Sequence, residues 1–316
     1  MATINRCKTP TSKNDHFQEV YDAFLLSRKT LCAKSTVDTY RNFGKSVIIP
    51  KLIEYCQTMD DVNEVVLRAI INDYAETHSV GGVHFFYRHF KAFVRWYWAE
   101  YDIQRPAPFR NIKVKKPKLP PKEGISRSEV EALIKAANEH SFFPERDIAL
   151  IMILCDTGIR LSSLASLKIA DVDTAKKELT VWEKDQQYHI KPFGTACSRA
   201  VNKYLRCIVD AHPDESLWLQ MDGSPVAKRG LREILRRLCR EANIEEHHFH
   251  DFRRFYGLEL YKSTHDIYFV SRALDHKSIE VTKRYLAIDA LEDAEAMRSM
   301  SPMDNKNTAK IKRKKK

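Results

Sequence analysis

Apolar residues along this chain recur mostly three or four positions apart, the repeat of an α-helix rather than a strand. Residues 15–101 read as helices throughout. Ser35, three before Asp38, is expected to cap a helix through Tyr40 and Phe43. Residues 62–78 carry apolar positions at the same spacing. The segment VHFFYRHFKAFVRWYWAEY shows two faces. Phe86, Phe90, Phe93 and Tyr97 form a stripe expected to be buried, and His84, Arg88, Lys91 and Arg95 form a basic stripe. Such a basic stripe is commonly just solvated, but it lacks interleaved acids, so contact with DNA is the competing reading.

The pattern breaks at DIQRPAPFRNIKVKKPKLPPK, residues 102–122. Prolines 106, 108, 117, 120 and 121 exclude helix, and Lys113, Lys115, Lys116, Lys118 and Lys122 add charge. An extended basic linker over 105–122 therefore divides a helical domain, 14–104, from a second domain, 123–300, with a basic tail over 301–316. The second domain opens with Ser126 three before Glu129, a capping-box signature. Residues 146–156 predict a helix buried all round, and TGIRLSSLASL follows. Residues 170–193, ADVDTAKKELTVWEKDQQYHIKPF, alternate enough for a hairpin or a three-stranded sheet. Helices resume at Thr195. Over 228–241, Leu231, Ile234, Leu235 and Leu238 make a core stripe, and Arg229, Arg232, Arg236 and Arg240 a basic one. The fold class is mainly α with a small β-sheet.

Composition narrows the partner. Lys and Arg total 53 against 42 acids, a net charge of +11 over 316 residues, which favours a polyanion such as nucleic acid. The tail from Lys306, KNTAKIKRKKK, is expected to be disordered in isolation and to hold nucleic acid nonspecifically. Seven cysteines, odd in number and without a C-x-x-C pair, suggest neither a thiolate zinc site nor a disulfide framework. The longest apolar run, IALIMILC, is too short to span a bilayer, so a cytoplasmic protein away from membranes is expected.

The stretch HHFHDFRR, residues 247–254, concentrates chemistry. Zinc, a phosphate, or an ordinary capped surface helix could account for it. His247 and His250 have i, i+3 spacing, but no H-E-x-x-H pattern or cysteine pair accompanies them. A phosphate fits better: Arg253 offers a planar fork to phosphoryl oxygens, and His250, one turn earlier, can donate to the same group or move a proton.

Other motifs stand in order around it. Thr157-Gly158-Ile159-Arg160 precedes Lys184 on the expected hairpin, then His250-Asp251-Phe252-Arg253, Leu274-Asp275-His276 and, nine residues on, Tyr285. This ordered set resembles the tyrosine recombinases, or phage integrase family, over roughly residues 14–295. The resemblance implies a helical core-binding domain with a SAM-like fold, a mixed α/β catalytic domain, and a C-shaped clamp on double-stranded DNA. It implies Arg160 and Arg253 as a clamp on the scissile phosphate, Tyr285 as the nucleophile of a 3′-phosphotyrosine intermediate, and His250 as the candidate base. His276 would hydrogen-bond the phosphate, and Lys184 would protonate the departing 5′-oxygen, with Lys191 as the fallback. The candidate DNA contacts are Arg88, Lys91, Arg95, Lys113, Lys115, Lys116, Arg229, Arg232, Arg236 and Arg240. No cofactor or metal is expected. Self-association, with a tetramer in synapsis, and an accessory directionality protein are the implied partners.

Two positions depart from the family pattern. Ser163 stands where an acid often braces the first arginine, and Asp275 stands where a glycine usually precedes the second histidine. The family commonly has glycines around its hairpin lysine, and EKDQQYHIKPF has none. The expected activity is site-specific recombination for integration or excision of a mobile element or a related rearrangement. A catalytically weak or silent site-specific DNA-binding protein and a type IB topoisomerase-like DNA relaxation activity are the alternatives.

Overall fold

The computed structural model describes residues 12–103, 112–117, 124–182, 187–276, 278–286 and Arg298. The chain divides into two compact units, Met1–Leu119 and Pro120–Lys316. Cys7, Lys118, Lys122, Lys184 and the tail from Lys306 lie outside the described residues.

In the first unit, Ser12 caps α1 (Lys13–Lys29) by accepting from the Asp15 amide. Helix α2 (Lys34–Phe43) begins earlier than its serine suggests. The turn closed by Leu31 and Cys32 onto the Arg28 carbonyl brings Ala33 to the N-cap, where its carbonyl accepts from Thr36 and Val37. Ser35 therefore lies inside the first turn and caps nothing. A π-helical turn, Gly44–Ile48, continues into α3 (Ile49–Tyr55). Gly44 is required there, because a Cβ would collide with the Tyr21 ring. Helix α4 (Glu64–Thr77) is capped by Asn63, and α5 (Val80–Glu100) by Ser79. Phe86, Phe90, Phe93 and Tyr97 of α5 are all buried, meeting Phe17, Tyr21 and Phe24 of α1 in one core. Tyr87 donates to the Ile112 carbonyl at 2.9 Å, and Ile112 joins this core, so the extended segment 112–117 starts anchored to the unit.

The second unit is built around α7 (Pro144–Thr157), none of whose residues is exposed. The helix is packed by α6 (Arg127–His140), α9 (Thr195–Cys207) and α11 (Phe249–Thr264). The Ser126–Glu129 capping box opens α6. The short α8 (Leu161–Leu164) follows α7. Strands β1 (Val172–Asp173), β2 (Glu178–Trp182) and β3 (Tyr188–Pro192) form an antiparallel sheet in the order β1-β2-β3. Leu179 pairs with Lys191 and Val181 with His189. Burial along β3 runs opposite to hydrophobicity: Tyr188 and Ile190 are exposed while Lys191 is buried. The remaining helices are α10 (Lys228–Glu241), α12 (Ile267–Ala273) and α13 (Ile279–Leu286). Among the described residues, no helix is long and apolar enough to cross a membrane.

Candidate active site

Helix α7 ends on Gly158, a left-handed C-cap at φ 56°. A Cβ here would lie 2.7 Å from the Tyr256 ring and 3.2 Å from Leu274, so both the turn and the packing demand glycine. The reversal brings Arg160 to the N-cap of α8. Its Nη2 donates to the Asp275 carbonyl at 3.0 Å.

The HHFHDFRR stretch divides by role. His248 caps α11 in a reciprocal box with Asp251, whose carboxylate accepts from the His248 amide at 2.8 Å. His247 Nε2 lies 3.1 Å from Glu129, tying the start of α11 to that of α6. Hydrogen bonds from the Ser126 side chain and backbone, and then from His247, hold the Glu129 carboxyl down at about 2. Arg254 pairs with Asp251 at 3.2 Å. These residues build the helix entry, leaving His250 and Arg253 as the stretch's two candidates for the site. Arg253 is buried, at 1% exposure, yet stays solvated by backbone: Nη1 donates to the Gly158 carbonyl at 2.8 Å and Nη2 to the Leu274 carbonyl. Among the described residues, no group of three or more His, Cys, Asp or Glu side chains is arranged to hold a metal ion.

The turn after α12 is where these groups converge. Three consecutive carbonyls, those of Ala273, Leu274 and Asp275, accept from Lys191, Arg253 and Arg160 respectively. Asp275 occupies the left-handed region at φ 48°. Its carboxylate pairs with Lys191 and lies 3.1 Å from His189 Nδ1. The next residue, His276, places Nδ1 2.7 Å from the hydroxyl of Thr282, a fully buried residue of α13. Partial burial, and then the positive charges of Arg253 and Arg160, push the His276 imidazole down to about 4. Partial desolvation and then Arg253 and Arg254 also lower His250. Two histidines held toward neutrality beside two guanidinium groups make an arrangement suited to an anion.

Arg160, His250, Arg253 and His276 thus gather around one turn. Tyr285 lies on α13, one helical turn after Thr282, and α13 packs against α11 and α12. Lys184, between β2 and β3, is outside the described residues, whereas Lys191 reaches the site's supporting turn. Ser163, at the position of the usual acid, is buried in α8.

A cavity of about 500 Å³ opens beside Arg160 and His250 and is bordered by Lys228, Arg232 and Arg236. It joins the site to the basic face of α10, on which Arg229, Arg232, Arg236 and Arg240 are all exposed. That face is not uniformly cationic: Arg236 pairs with Glu233 at 3.0 Å and Glu246 at 3.3 Å. Elsewhere, Arg88 and Arg95 of α5 are exposed and Lys91 lies over the Tyr87 ring at 5.4 Å. Lys113, Lys115 and Lys116 are exposed on the extended segment.

Comparison with known proteins gives a consistent picture. A family model described as the phage integrase family matches residues 123–292. The tyrosine recombinase XerC of Staphylococcus aureus strain JH9 is 30% identical over 193 residues, covering 60% of this chain and 64% of that protein. The chain therefore spans less than two thirds of the curated relatives it matches. Similar solved structures include XerH bound to a palindromic difH substrate in a post-cleavage complex, with TM-score 0.70 and 16% identity over 93% of this chain and 98% of that one. The integrase of transposon Tn1549 with a circular intermediate DNA has TM-score 0.71 and 16% identity over 90% and 98%. A lambda integrase dimer on a core site has TM-score 0.67 and 16% identity over 85% and 94%.

Proposed function

Since the chain belongs to the phage integrase family, we propose that it is a site-specific DNA recombinase that cuts and rejoins duplex DNA through a covalent 3′-phosphotyrosine at Tyr285. The observation that carries this reading is the convergence of Arg160, Arg253, His250 and His276 on the turn 273–276. A phosphodiester entering there meets two guanidiniums whose positions backbone carbonyls already fix. Their charge stabilises the pentacoordinate transition state without reorganisation.

The Tyr285 oxygen attacks phosphorus and the bond to the 5′-oxygen breaks, so one phosphodiester replaces another and no nucleotide cofactor is consumed. His250 takes the phenolic proton, a task suited to an imidazole kept neutral. His276 Nδ1 lies 2.7 Å from the Thr282 hydroxyl; with that hydroxyl as the donor, the ring proton is on Nε2 for a nonbridging phosphate oxygen. Lys184 protonates the leaving 5′-oxygen. The two arginines take the part that a divalent ion plays in many nucleases, and cleavage is predicted to survive excess EDTA.

Both units contact the duplex, through Arg88, Lys91 and Arg95, through Lys113, Lys115 and Lys116, and through the α10 arginines. Protomers associate on DNA, as a tetramer when two sites are synapsed. The names of the similar proteins, among them transposon and phage integrases, support a role in integration or excision of a mobile element or a related rearrangement. The test uses duplexes selected from a randomised library by the full chain and nicked to trap the intermediate. A covalent adduct is expected, absent with Tyr285→Phe while site binding persists. An adduct in the Phe variant assigns the nucleophile elsewhere, and an adduct without site preference favours simple DNA relaxation.

A further inference from the structure

Lys191 and Asp275 form a buried pair at the turn 273–276. Both side chains are withdrawn from water, with 6% and 14% exposure, so each needs the other. The ammonium also donates to the Ala273 carbonyl at 2.6 Å, and His189 from the same strand face approaches the other carboxylate oxygen at 3.1 Å. Strand β3 therefore grips this turn by backbone and side chain together. The next two carbonyls of the turn hold Arg253 and Arg160, and the next residue is His276. The inverted alternation of β3, with Lys191 inside and Ile190 outside, is the backbone consequence of that grip.

We propose that Lys191 is a positioning residue: it fixes the turn from which both guanidiniums and His276 take their places, and it keeps the Asp275 carboxylate from capturing Arg160 or Arg253. Asp275 carries an anion within the turn whose carbonyls hold both guanidiniums, so an unpaired carboxylate there would compete with the phosphate. In this chain the lysine on β3 and the aspartate on the turn are two halves of one device. The inference rests on the recombinase reading for its functional half, while the pair itself can be tested without DNA.

The first arm is thermal unfolding of the full chain. Lys191→Met and Asp275→Gly are each expected to lower Tm, since each strands a buried charge, and the double variant is expected to recover most of the loss. Additive losses would overturn the pair. The second arm is single-turnover cleavage of the nicked selected duplex with either an oxygen or a sulfur at the leaving 5′ position. Lys191→Met is expected to cut roughly a hundredfold more slowly on both, the penalty for misplacing reacting groups by about an ångström, with DNA affinity nearly unchanged. Sulfur leaves without a proton, so recovery of Lys191→Met on the sulfur substrate would make Lys191 the general acid and overturn positioning. Adding Asp275→Gly to Lys191→Met is expected to recover the part of the rate lost to the freed carboxylate on the oxygen substrate, and a double variant no faster than Lys191→Met counts against the proposal. If the wild-type chain forms no adduct, the recombinase reading falls, while the unfolding arm still decides whether the pair exists.

Discussion

Two sets of arginines in the second unit carry the same charge and are held in opposite ways. Arg253 is sealed from water and Arg160 is half-buried, and backbone carbonyls from Gly158, Leu274 and Asp275 hold their guanidiniums. Arg229, Arg232, Arg236 and Arg240 of α10 stand in solvent, and Arg236 and Arg240 lean toward Glu233, Glu246 and Glu241. A fixed cation in a dry site does electrostatic work on a transition state, because nothing must move when charge develops. A solvated cation adds affinity and surrenders it to salt. Charge counts alone do not separate the two; the partner of each guanidinium does.

Removing Arg253 should break this contrast most severely. Arg253→Ala strips two carbonyls of their donor and deletes half of the proposed phosphate clamp. Cleavage is expected to fall by roughly a thousandfold. The unfolding free energy is expected to drop by about 1–3 kcal/mol for each carbonyl left unmet. Arg253→Lys should recover stability better than rate, since one ammonium cannot fork to two carbonyls and a phosphate together. Single-turnover cleavage and denaturant titration measure both. A Lys variant with wild-type rate would show that the fork is dispensable.

The next effect comes from the turn that positions Arg160. Gly158→Ala forces an L-residue to φ 56° and drives its Cβ toward Tyr256. The backbone conformation alone costs about 1–3 kcal/mol, and the clash adds to it. Stability and cleavage are expected to fall together, because displacement of Gly158 also moves the carbonyl that holds Arg253. Unchanged stability would mean that Tyr256 and Leu274 yield freely.

A smaller and graded effect follows from His276, held down at about 4 against an ordinary value near 6.5. Between those values the unfolded chain binds a proton that the folded chain refuses. Stability from this group is therefore complete above about pH 6.5 and is lost as pH falls toward 4. A bound phosphodiester should reverse the bias and raise the His276 value, so DNA affinity should climb as pH falls through this window. NMR titration of the His276 ring with and without a selected duplex checks the sign. An equal or lower value in the complex would remove His276 from the phosphate.

The motifs of the proposed site were legible because they are local. Gly158 beside Arg160, His250 one turn before Arg253, and the nine-residue step from His276 to Tyr285 all sit within a helix turn or a short loop. What organises them was not legible. The carbonyl of Asp275 holds an arginine 115 residues away, and carbonyls have no residue-type signature. Spacing weighs His247 with His250 as a zinc pair and gives His248 no role, yet His247 braces α6 and His248 caps α11. One signal was available and went unused. His189 and Lys191 stand two apart on a strand, a polar inner face that called for an anion, and Asp275 is that anion. The helical stripes of α5 and α10 were correct as geometry. Their electrostatics depended on pairings such as Arg236 with Glu246, which periodicity does not encode.

The smallest expected effect separates the α10 arginines from one another. Arg232 borders the cavity beside Arg160, and no carboxylate among the described residues pairs with Arg229 or Arg232. Arg236 borders the same cavity but must leave Glu233 and Glu246 before it can neutralise a phosphate. Each cation that reaches a phosphate should contribute about 0.9 to the slope of log affinity against log salt. Arg229→Ala with Arg232→Ala is therefore expected to reduce that slope by nearly two, and Arg236→Ala with Arg240→Ala by clearly less. If α10 enters the major groove, the first pair should also weaken a selected site more than random DNA, since a fixed helical face can aim forks at base edges. Titrations at several salt concentrations on selected and random duplexes resolve both quantities. Equal slope changes for the two pairs would show that the surface carboxylates let go at no cost. Equal losses on selected and random DNA would confine this face to the phosphate backbone.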